Sequence, residues 1–342
     1  MHTVAVAGHI CVDLTPRLGD AVRLEPGALI EIGPLRFSLG GCVANVARNL
    51  AALGQPVIAY ATVGDDDLGA YVRRSLPSAL IDERISVSTA ATTSYSLVIE
   101  SGGDRTFWHH TGVNAQIDGA GIDSASVDLL HLGYPPLLPA LLRDEGAPLV
   151  HLLRRVRAQG TTTSLDLAVI DPQSPVGSLN WTAILRAIAA ESDVLSPSTD
   201  DLVSALGVDI PGAGSLDERF ADLLISWGAA VVTVSSGRDG IVLRTGSRER
   251  LRAAGRAVAP LADAWADFRL RSPARSVNAV TTNGAGDAAS AGLIYALSRG
   301  LDPGTALAVS TACSAIAVGG RAPSMKEVAR LVPDLGGGTR VS

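Results

Sequence analysis

The sequence contains almost no lysine: of its 28 basic residues, only Lys326 is one. A P-loop needs a lysine after its glycines, so that motif is excluded. Schiff-base catalysis needs a lysine amine, and the sequence argues against it for the same reason. The net charge is −6. Nucleic-acid binding needs clustered basic residues, which this acidic balance does not suggest, and we predict no nucleic-acid partner.

Cysteine is also scarce, with Cys11, Cys42 and Cys313 far apart and no C-x-x-C spacing. This pattern predicts neither a zinc site nor a disulfide framework, but reduced thiols in a cytoplasmic protein. The N-terminus has no basic leader, and Asp13 interrupts its first apolar run, so it is predicted to be a strand and not a signal peptide. Residues 303–320 lack charge. They are rich in Ala, Ser, Thr and Gly, which favours a buried helix over a membrane span.

The rest of the composition is globular, with 342 residues of which 47% are hydrophobic. Short apolar runs alternate with helix-like stretches, as in buried parallel strands connected by helices. The predicted strands are residues 4–8, 57–63, 129–133, 163–167, 194–196 and 231–235. The predicted helices are residues 44–53, 68–75, 149–159, 181–190, 200–206 and 216–227. This alternation predicts an α/β fold with three α/β/α layers around a mainly parallel central sheet.

Two segments interrupt the alternation. Residues 15–39 contain three prolines around the apolar run 28–32, and residues 92–112 have the pattern of a β-hairpin. The two segments could pair into a small accessory sheet that covers a site, or be surface decoration. Residues 244–278 are predicted to be irregular or partly helical, and residues 336–342 to be a mobile tail.

A glycine-rich motif lies near the C-terminus, where Thr281-Thr282-Asn283-Gly284-Ala285-Gly286-Asp287-Ala288 precedes a predicted helix over 288–299. A Gly-x-Gly turn at a helix N-terminus leaves backbone N–H groups free and forms an anion site suited to phosphate. Asp287 has a simple interpretation as a helix-capping residue. A carboxylate beside an anion site can also accept a proton from a hydroxyl during phosphoryl transfer.

A second glycine-rich motif lies near the N-terminus, where Gly40 and Gly41 begin a predicted helix that ends at Gly54. Asn45 interrupts the apolar face of this helix. Asparagine is a poor residue inside a helix because its side chain competes for backbone hydrogen bonds. We therefore predict that Asn45 binds a hydroxyl, with a satisfied buried amide as the alternative.

Together the two motifs resemble the paired signatures of the PfkB family of carbohydrate kinases, which have the ribokinase-like fold. Their order and separation match, and the resemblance covers nearly the whole chain. Weaker matches to the family are residues 63–69 (V-G-D-D-D-L-G), 112–115 (G-V-N-A) and 235–240 (S-S-G-R-D-G). The Ala-rich residues 305–318 fall where the family closes its adenine pocket. The resemblance predicts one ribokinase-like domain over residues 1–335, with the segments 15–39 and 92–112 forming a β lid.

The resemblance implies ATP- and Mg²⁺-dependent transfer of the γ-phosphate to a hydroxyl of a sugar or sugar-like polyol. Asp287 would be the general base, and the backbone of Gly284, Ala285 and Gly286 would form the anion hole. The substrate pocket would contain Asp13, Gly40, Gly41, Asn45 and Asn114. The nucleotide would lie against Ser198, Ser235, Gly237, Gly240 and Asn283.

Three positions depart from the family pattern. Thr281 stands where the family usually has an acidic residue that helps to hold a monovalent cation, so potassium activation is left open. The family's N-x-x-E motif, which supports magnesium through waters, is Ser198-Thr199-Asp200-Asp201 here. Asp201 keeps the carboxylate and is predicted to be the magnesium residue, with Asp200 as a substitute. Asn283 replaces a small hydroxyl residue beside the anion hole.

Several alternatives stay open at the level of sequence. One is a nucleoside kinase of the same fold, and another is a kinase-fold protein that binds ligands without efficient transfer. Arg105 could bind a phosphate already present on the acceptor, or be a solvated charge. Asp166 ends a predicted strand, where ligands of parallel sheets gather, but could equally cap a helix. A homodimer through the lid is a further alternative, suggested by the apolar residues 95–99.

Overall fold

The computed structural model describes residues 2–18, 26–101 and 104–336. Within them the strands are β1 (Val4–Gly8), β2 (Cys11–Pro16), β3 (Leu35–Gly40), β4 (Val57–Gly64), β5 (Ile81–Ser88), β6 (Tyr95–Ser101), β7 (Asp104–His110), β8 (Leu129–Gly133), β9 (Thr162–Leu165), β10 (Val194–Leu195), β11 (Val231–Ser235), β12 (Ile241–Thr245) and β13 (Arg269–Ser272). The helices are α1 (Gly41–Ala52), α2 (Asp67–Ser75), α3 (Arg143–Ala158), α4 (Trp181–Glu191), α5 (Thr199–Leu206), α6 (Leu216–Ser226), α7 (Arg248–Arg252), α8 (Gly255–Val258), α9 (Ala262–Trp265), α10 (Ala285–Ser298), α11 (Pro303–Val318) and α12 (Met325–Leu331).

Nine strands form the large sheet, in the order β13-β12-β11-β10-β9-β8-β1-β4-β5. The strands from β11 to β5 are parallel, and only β12 and β13 join in antiparallel pairs. The predicted α/β fold with a mainly parallel central sheet is therefore confirmed. The six predicted strands all belong to this sheet, whereas β5, β12 and β13 were not predicted.

Helices cover both faces of the large sheet, because the residues of its central strands alternate between two apolar cores. In β1, Val4 and Val6 pack in the core formed with α1, α10 and α11, while Ala5 and Ala7 pack in the core formed with α3, α4 and α6. A parallel sheet buried in this way has continuous apolar strands, which is the pattern that the sequence showed. No helix in the described part of the chain is long and apolar enough to cross a membrane.

Four strands form the small sheet, in the order β3-β2-β6-β7. The two interrupting segments do join one small sheet, but they do not pair with each other, because β3 and β6 lie on either side of β2. The first segment contributes Leu35–Gly40 and not the apolar run 28–32. Register places Asp13 opposite Ser96, and Ser96 opposite His109. Because side chains alternate across a strand, these three share one polar face of the small sheet. The opposite face carries Leu14, Leu97 and Trp108 in the same register.

Two other predictions need refinement. The late helix begins at Ala285 and not at 288, so the G-A-G-D motif itself forms the first helical turn. Residues 244–278 contain the end of β12, the short helices α7, α8 and α9, and the edge strand β13. The predicted mobile tail 336–342 lies outside the described residues from 337 onward.

Candidate active site

Asp287 lies in the first turn of α10 and is only 3% exposed. The Tyr134 hydroxyl donates a hydrogen bond to its Oδ1 at 2.5 Å, and Asn45 Nδ2 donates to its Oδ2 at 2.8 Å. Burial raises the pKa of Asp287, while these two donors oppose the rise and the nearby charge of Asp13 adds to it. Both carboxylate oxygens are thus fixed in place, and the raised pKa suits a group that accepts a proton.

The N-terminus of α10 is built to bind an anion. Its N-cap, Gly284, has φ 74° and ψ 7°, the left-handed conformation that favours glycine. Within the described ranges no side chain caps this helix, and Ala285 N makes only a long bond to the backbone oxygen of Thr282, at 3.4 Å. A helix start without a cap can bind a ligand through its N–H groups. Gly286 is exposed, and a Cβ added there would meet nothing within 4 Å. Open backbone and the helix dipole together favour a phosphate group at this place.

The early motif lies directly against this turn. The side chain of Asn45, on helix α1, contacts Asp287, which follows 242 residues later in the chain. The amide that was predicted to bind a hydroxyl therefore also orients the carboxylate. A Cβ added to Gly40 would stand 2.5 Å from both carboxylate oxygens of Asp13. Only glycine fits at position 40 without moving that carboxylate.

Asp13 forms the other side of the pocket, on the polar face of the small sheet. It is 5% exposed. Asn283 Nδ2 donates a hydrogen bond to its Oδ2 at 3.2 Å, and the Cys11 thiol donates a long one to Oδ1 at 3.5 Å. Burial raises the pKa of Asp13, and the bond from Asn283 is the largest influence that lowers it. The sequence predicted Asn283 for the nucleotide site, and in the structure its side chain contacts Asp13, a residue predicted for the substrate pocket.

Two neutral imidazoles lie beneath the pocket. The His9 ring is buried, with its centroid 5.1 Å from that of His109 and 5.8 Å from that of Tyr134. His109 Nδ1 lies 3.0 Å from the Ser96 hydroxyl. Burial lowers the pKa of His9, and it lowers that of His109 to about 4. Neither ring therefore brings a positive charge to the pocket at neutral pH.

The predicted nucleotide residues gather at the carboxyl ends of neighbouring strands. Ser198 and Ser235 form a parallel bridge after β10 and β11. Gly237 and Gly240 lie in the turn between β11 and β12, with φ values of 50° and 94°. Ligands of open parallel sheets bind at this edge. The structure thus brings together four of the five predicted nucleotide residues, without Asn283.

Asp201 and Asp166 place further carboxylates near Asp287. Asp201 forms a capping box with Ser198 at the start of α5, and burial raises its pKa to about 6. Asp166 follows β9 and accepts a hydrogen bond from Ser290 at 3.3 Å. Burial and then the charges of Asp201 and Asp287 raise the pKa of Asp166 well above its usual range. The described residues hold no cluster of three metal-ligating side chains.

Asn114 is fully buried, and its Nδ2 donates to the backbone oxygen of Ile10 at 2.8 Å. It therefore holds the turn between β1 and β2, which carries His9 and leads to Asp13. Sequence reasoning missed Tyr134, which contacts Asp287 from 153 residues away. Its position directly after β8, at the ligand-binding edge of the sheet, is the signal that could have found it.

The family model described as pfkB family carbohydrate kinase matches residues 1–326. The chain belongs to this family. It is therefore a carbohydrate kinase, as the two glycine motifs predicted, and the predicted ribokinase-like fold is confirmed.

Curated relatives of this carbohydrate kinase match over most of their length. It is 29% identical over 325 residues to the ATP-dependent ribose-1-phosphate kinase of Halopiger xanaduensis, covering 93% of each chain. It is 28% identical to the 1-phosphofructokinase of Rhodobacter capsulatus, covering 89% of this chain and 87% of that protein. Among solved structures, a putative ribokinase II from E. coli in complex with ATP and Mg²⁺ superposes with a TM-score of 0.73. That structure is 18% identical and covers 97% of this chain and 99% of its own.

Proposed function

We propose that this carbohydrate kinase transfers the γ-phosphoryl group of ATP to a hydroxyl of a sugar, a sugar phosphate or a similar polyol. The observation that carries the proposal is the position of Asp287, a buried carboxylate held by two donors within the uncapped first turn of α10. A proton acceptor and a phosphate site lie there within one helical turn. Phosphoryl transfer needs these two elements and little other protein chemistry.

The proposed reaction is a direct displacement. Asp287 accepts the proton of the acceptor hydroxyl as its oxygen forms a bond to the γ-phosphorus. The bond from that phosphorus to the β–γ bridging oxygen breaks, and ADP leaves. The N–H groups of Gly284, Ala285 and Gly286 bind the oxygens of the transferred group. Asp13, Asn45, Gly40 and Gly41 form the acceptor pocket, with Asn114 holding its backbone.

The nucleotide half is assigned by its place at the sheet edge. We place the nucleotide along Ser198, Ser235, Gly237 and Gly240, next to α11. Mg²⁺ usually binds through one or two carboxylates, waters and substrate phosphates. Asp201 and Asp166 fit this role, because their oxygens are of the preferred type. Burial, and then repulsion from Asp201 and Asp287, raise the pKa of Asp166, and a bound cation would offset both effects. When bound, Mg²⁺ neutralises charge on the phosphates during transfer.

The test is ADP release with MgATP against ribose, ribose 1-phosphate, fructose phosphates, simple polyols and nucleosides. Asp287→Asn keeps the shape of the side chain but removes the base. We expect kcat to fall by about 10²–10⁴ while MgATP binding persists, because general-base catalysis contributes that much. Phosphorylation of nucleosides alone would replace the proposal with a nucleoside kinase. If Asp287→Asn and the protein without this substitution have equal kcat values, Asp287 is not the base.

We also propose that the small sheet acts as a lid on one kinase domain and that its apolar face joins two copies of the chain. Leu35, Phe37 and Trp108 expose 45%, 49% and 46% of their surface on that face. A second copy, related by a two-fold axis, would bring identical apolar faces together. We expect a dimer in sedimentation velocity that dissociates in Trp108→Glu. If the protein without this substitution is a monomer, the proposal is contradicted.

A further inference from the structure

One hydrogen bond crosses the pocket from the phosphate-binding turn to the small sheet. It joins Asn283, directly before Gly284, with Asp13 in β2, over a separation of 270 residues. The donor is the Asn283 side-chain amide and the acceptor is Asp13 Oδ2, at 3.2 Å. The bond thus connects the residue beside the anion site with the carboxylate on the acceptor side.

The backbone of the turn holds Asn283 in this position. Asn283 N donates to Thr281 Oγ1 at 3.0 Å. Thr281 N donates to the backbone oxygen of Val318 at 3.2 Å, and so does Val280 N at 2.9 Å. The turn is therefore anchored to the last residue of α11. The anchored turn thus fixes the backbone position from which the Asn283 side chain reaches Asp13.

Asn283 is the strongest of several groups that favour the charged form of Asp13. The Cys11 thiol, the Ser96 hydroxyl and the charge of Arg105 also lower its pKa, each with less effect. Gly40 faces both of its oxygens without a side chain, and the Cys11 thiol is a weak donor at 3.5 Å. The titratable groups that face Asp13 are Cys11 on its own strand, Arg105 on β7 and Asp287 on α10. Burial raises the pKa of Asp13, and the Asn283 amide counteracts this rise more than any other described group. A buried carboxylate without such a donor is costly.

We propose that Asn283 is an acceptor-positioning residue, which orients the Asp13 carboxylate toward the acceptor hydroxyl and ties acceptor binding to the position of the phosphate-binding turn. This inference rests on the proposed function and deepens it. It also assigns the side chain of Asn283 to the acceptor and not to the nucleotide. The role is indirect, because Asn283 acts through Asp13.

The test is steady-state kinetics of Asn283→Ala with separate variation of the acceptor and of MgATP. We expect acceptor kcat/KM to fall about tenfold to a hundredfold, the range for a lost hydrogen bond to a charged group. The KM for MgATP should stay within about twofold. Thr281→Val is the matched control, because it loosens the same turn but keeps the amide, and it should lose much less acceptor kcat/KM than Asn283→Ala.

The pH profile supplies a readout that a merely structural role would not move. We expect the acceptor hydroxyl to donate its hydrogen bond to Asp13 in the ionised form of this carboxylate. Removal of the Asn283 amide allows the pKa of Asp13 to rise, so the acidic limb of acceptor kcat/KM should move to higher pH in Asn283→Ala. The inference is overturned if the acidic limb of acceptor kcat/KM does not move, or if only the kcat/KM for MgATP falls. The proposed function stands in either case.

If the unchanged protein phosphorylates no compound of the panel, the proposed function fails, and calorimetry then tests the inference with ribose 1-phosphate and with MgATP as probes. Weaker sugar binding by Asn283→Ala with unchanged MgATP binding supports it. The reverse pattern overturns it. Absence of sugar binding to the unchanged protein overturns both proposals.

Discussion

Asp287 receives its two hydrogen bonds from side chains that are far away in the chain. Asn45 comes from the early glycine motif and Tyr134 from the end of a central strand. Each bond favours the ionised carboxylate, which a general base needs, and burial works in the opposite direction. The pKa of the base is therefore a balance that a single donor can shift.

Tyr134→Phe tests this balance at the residue scale. The variant keeps the ring beside His9 but removes the donor to Asp287 Oδ1, so the pKa of Asp287 rises. Because the base acts in its ionised form, the acidic limb of kcat should move to higher pH, with roughly a tenfold loss at neutral pH for one lost bond to a charged group. The measurement is kcat against pH at saturating substrates.

Tyr60→Phe is the matched control for this prediction. The Tyr60 hydroxyl donates to the backbone oxygen of Asp123, on the surface and away from the pocket. The control should keep the profile of the unchanged protein. If both variants shift the limb equally, Tyr134 does not tune the base.

Sequence reasoning identified the residues of short motifs but not the contacts between motifs. Asp287, Asn45 and Gly40 were predicted because glycine turns and a misplaced asparagine are local signals. Tyr134 was missed because one aromatic residue after a strand has no local pattern. The side of the pocket that Asn283 faces depends on the path of β2, which the chain reaches 270 residues earlier.

At the scale of elements, the N-terminus of α10 contains one glycine that the backbone requires, Gly284, and one that the proposed phosphate site would require, Gly286. Gly284 has a positive φ, and the nearest atom to an added Cβ is Asn45 Nδ2 at 3.6 Å, so backbone conformation and not space is the constraint. Gly286 is helical, exposed and open on its Cβ side. The two positions should respond to alanine in opposite ways.

Gly284→Ala should destabilise the fold by about 1–2 kcal/mol, the cost of a left-handed conformation for a residue with a Cβ. Gly286→Ala should stabilise it by about 0.5–1 kcal/mol, because alanine is the better helix residue. Both should lower phosphoryl transfer, the second because its Cβ points into the phosphate site. Urea unfolding and kcat measure the two effects. A fully active Gly286→Ala would remove residue 286 from the anion site.

The elements that the sequence predicted well are those with two buried faces. Strand β1 is a continuous apolar run that ends in glycine, and β8 is one apart from His131, as expected for strands buried on both faces. The edge strand β5 reads Ile-Asp-Glu-Arg-Ile-Ser-Val-Ser and is mostly exposed, so its composition does not differ from that of a loop. Strand β13 is four residues long and rich in arginine, and only its pairing with β12 makes it a strand.

At the scale of the whole molecule, four buried carboxylates lie around the candidate active site, Asp13 on the small sheet and Asp166, Asp201 and Asp287 beside the large one. Burial raises the pKa values of Asp13, Asp166, Asp201 and Asp287. A carboxylate whose folded pKa is raised lowers stability as pH increases from its unfolded pKa to its folded one. The protein thus gives up stability at neutral pH to keep charges where a nucleotide and its cation would bind.

Asp166→Asn should recover part of that stability. The amide oxygen can still accept the bond from Leu167 N, and the amide can donate to the Ser290 hydroxyl, without a buried charge. We expect the variant to be more stable than the unchanged protein by about 0.5–2 kcal/mol at pH 8. Near pH 4, where Asp166 is protonated in the folded protein, the difference should vanish. Urea unfolding at both pH values measures it.

The comparison has to be made between variants, because three histidines with lowered pKa values have the opposite effect on stability. His9, His109 and His131 have lowered pKa values, so their contribution raises stability as pH increases toward 6.5. That contribution is common to both proteins and cancels in the difference. Asp193→Asn is the matched control: burial raises the pKa of Asp193 too, but its carboxylate pairs with Arg250 at 3.0 Å, and this charge opposes the rise. Loss of this ion pair should destabilise the fold by about 3–5 kcal/mol. A gain from Asp193→Asn, or none from Asp166→Asn at pH 8, would contradict the view that a buried carboxylate lowers stability when no arginine pairs with it, as for Asp166.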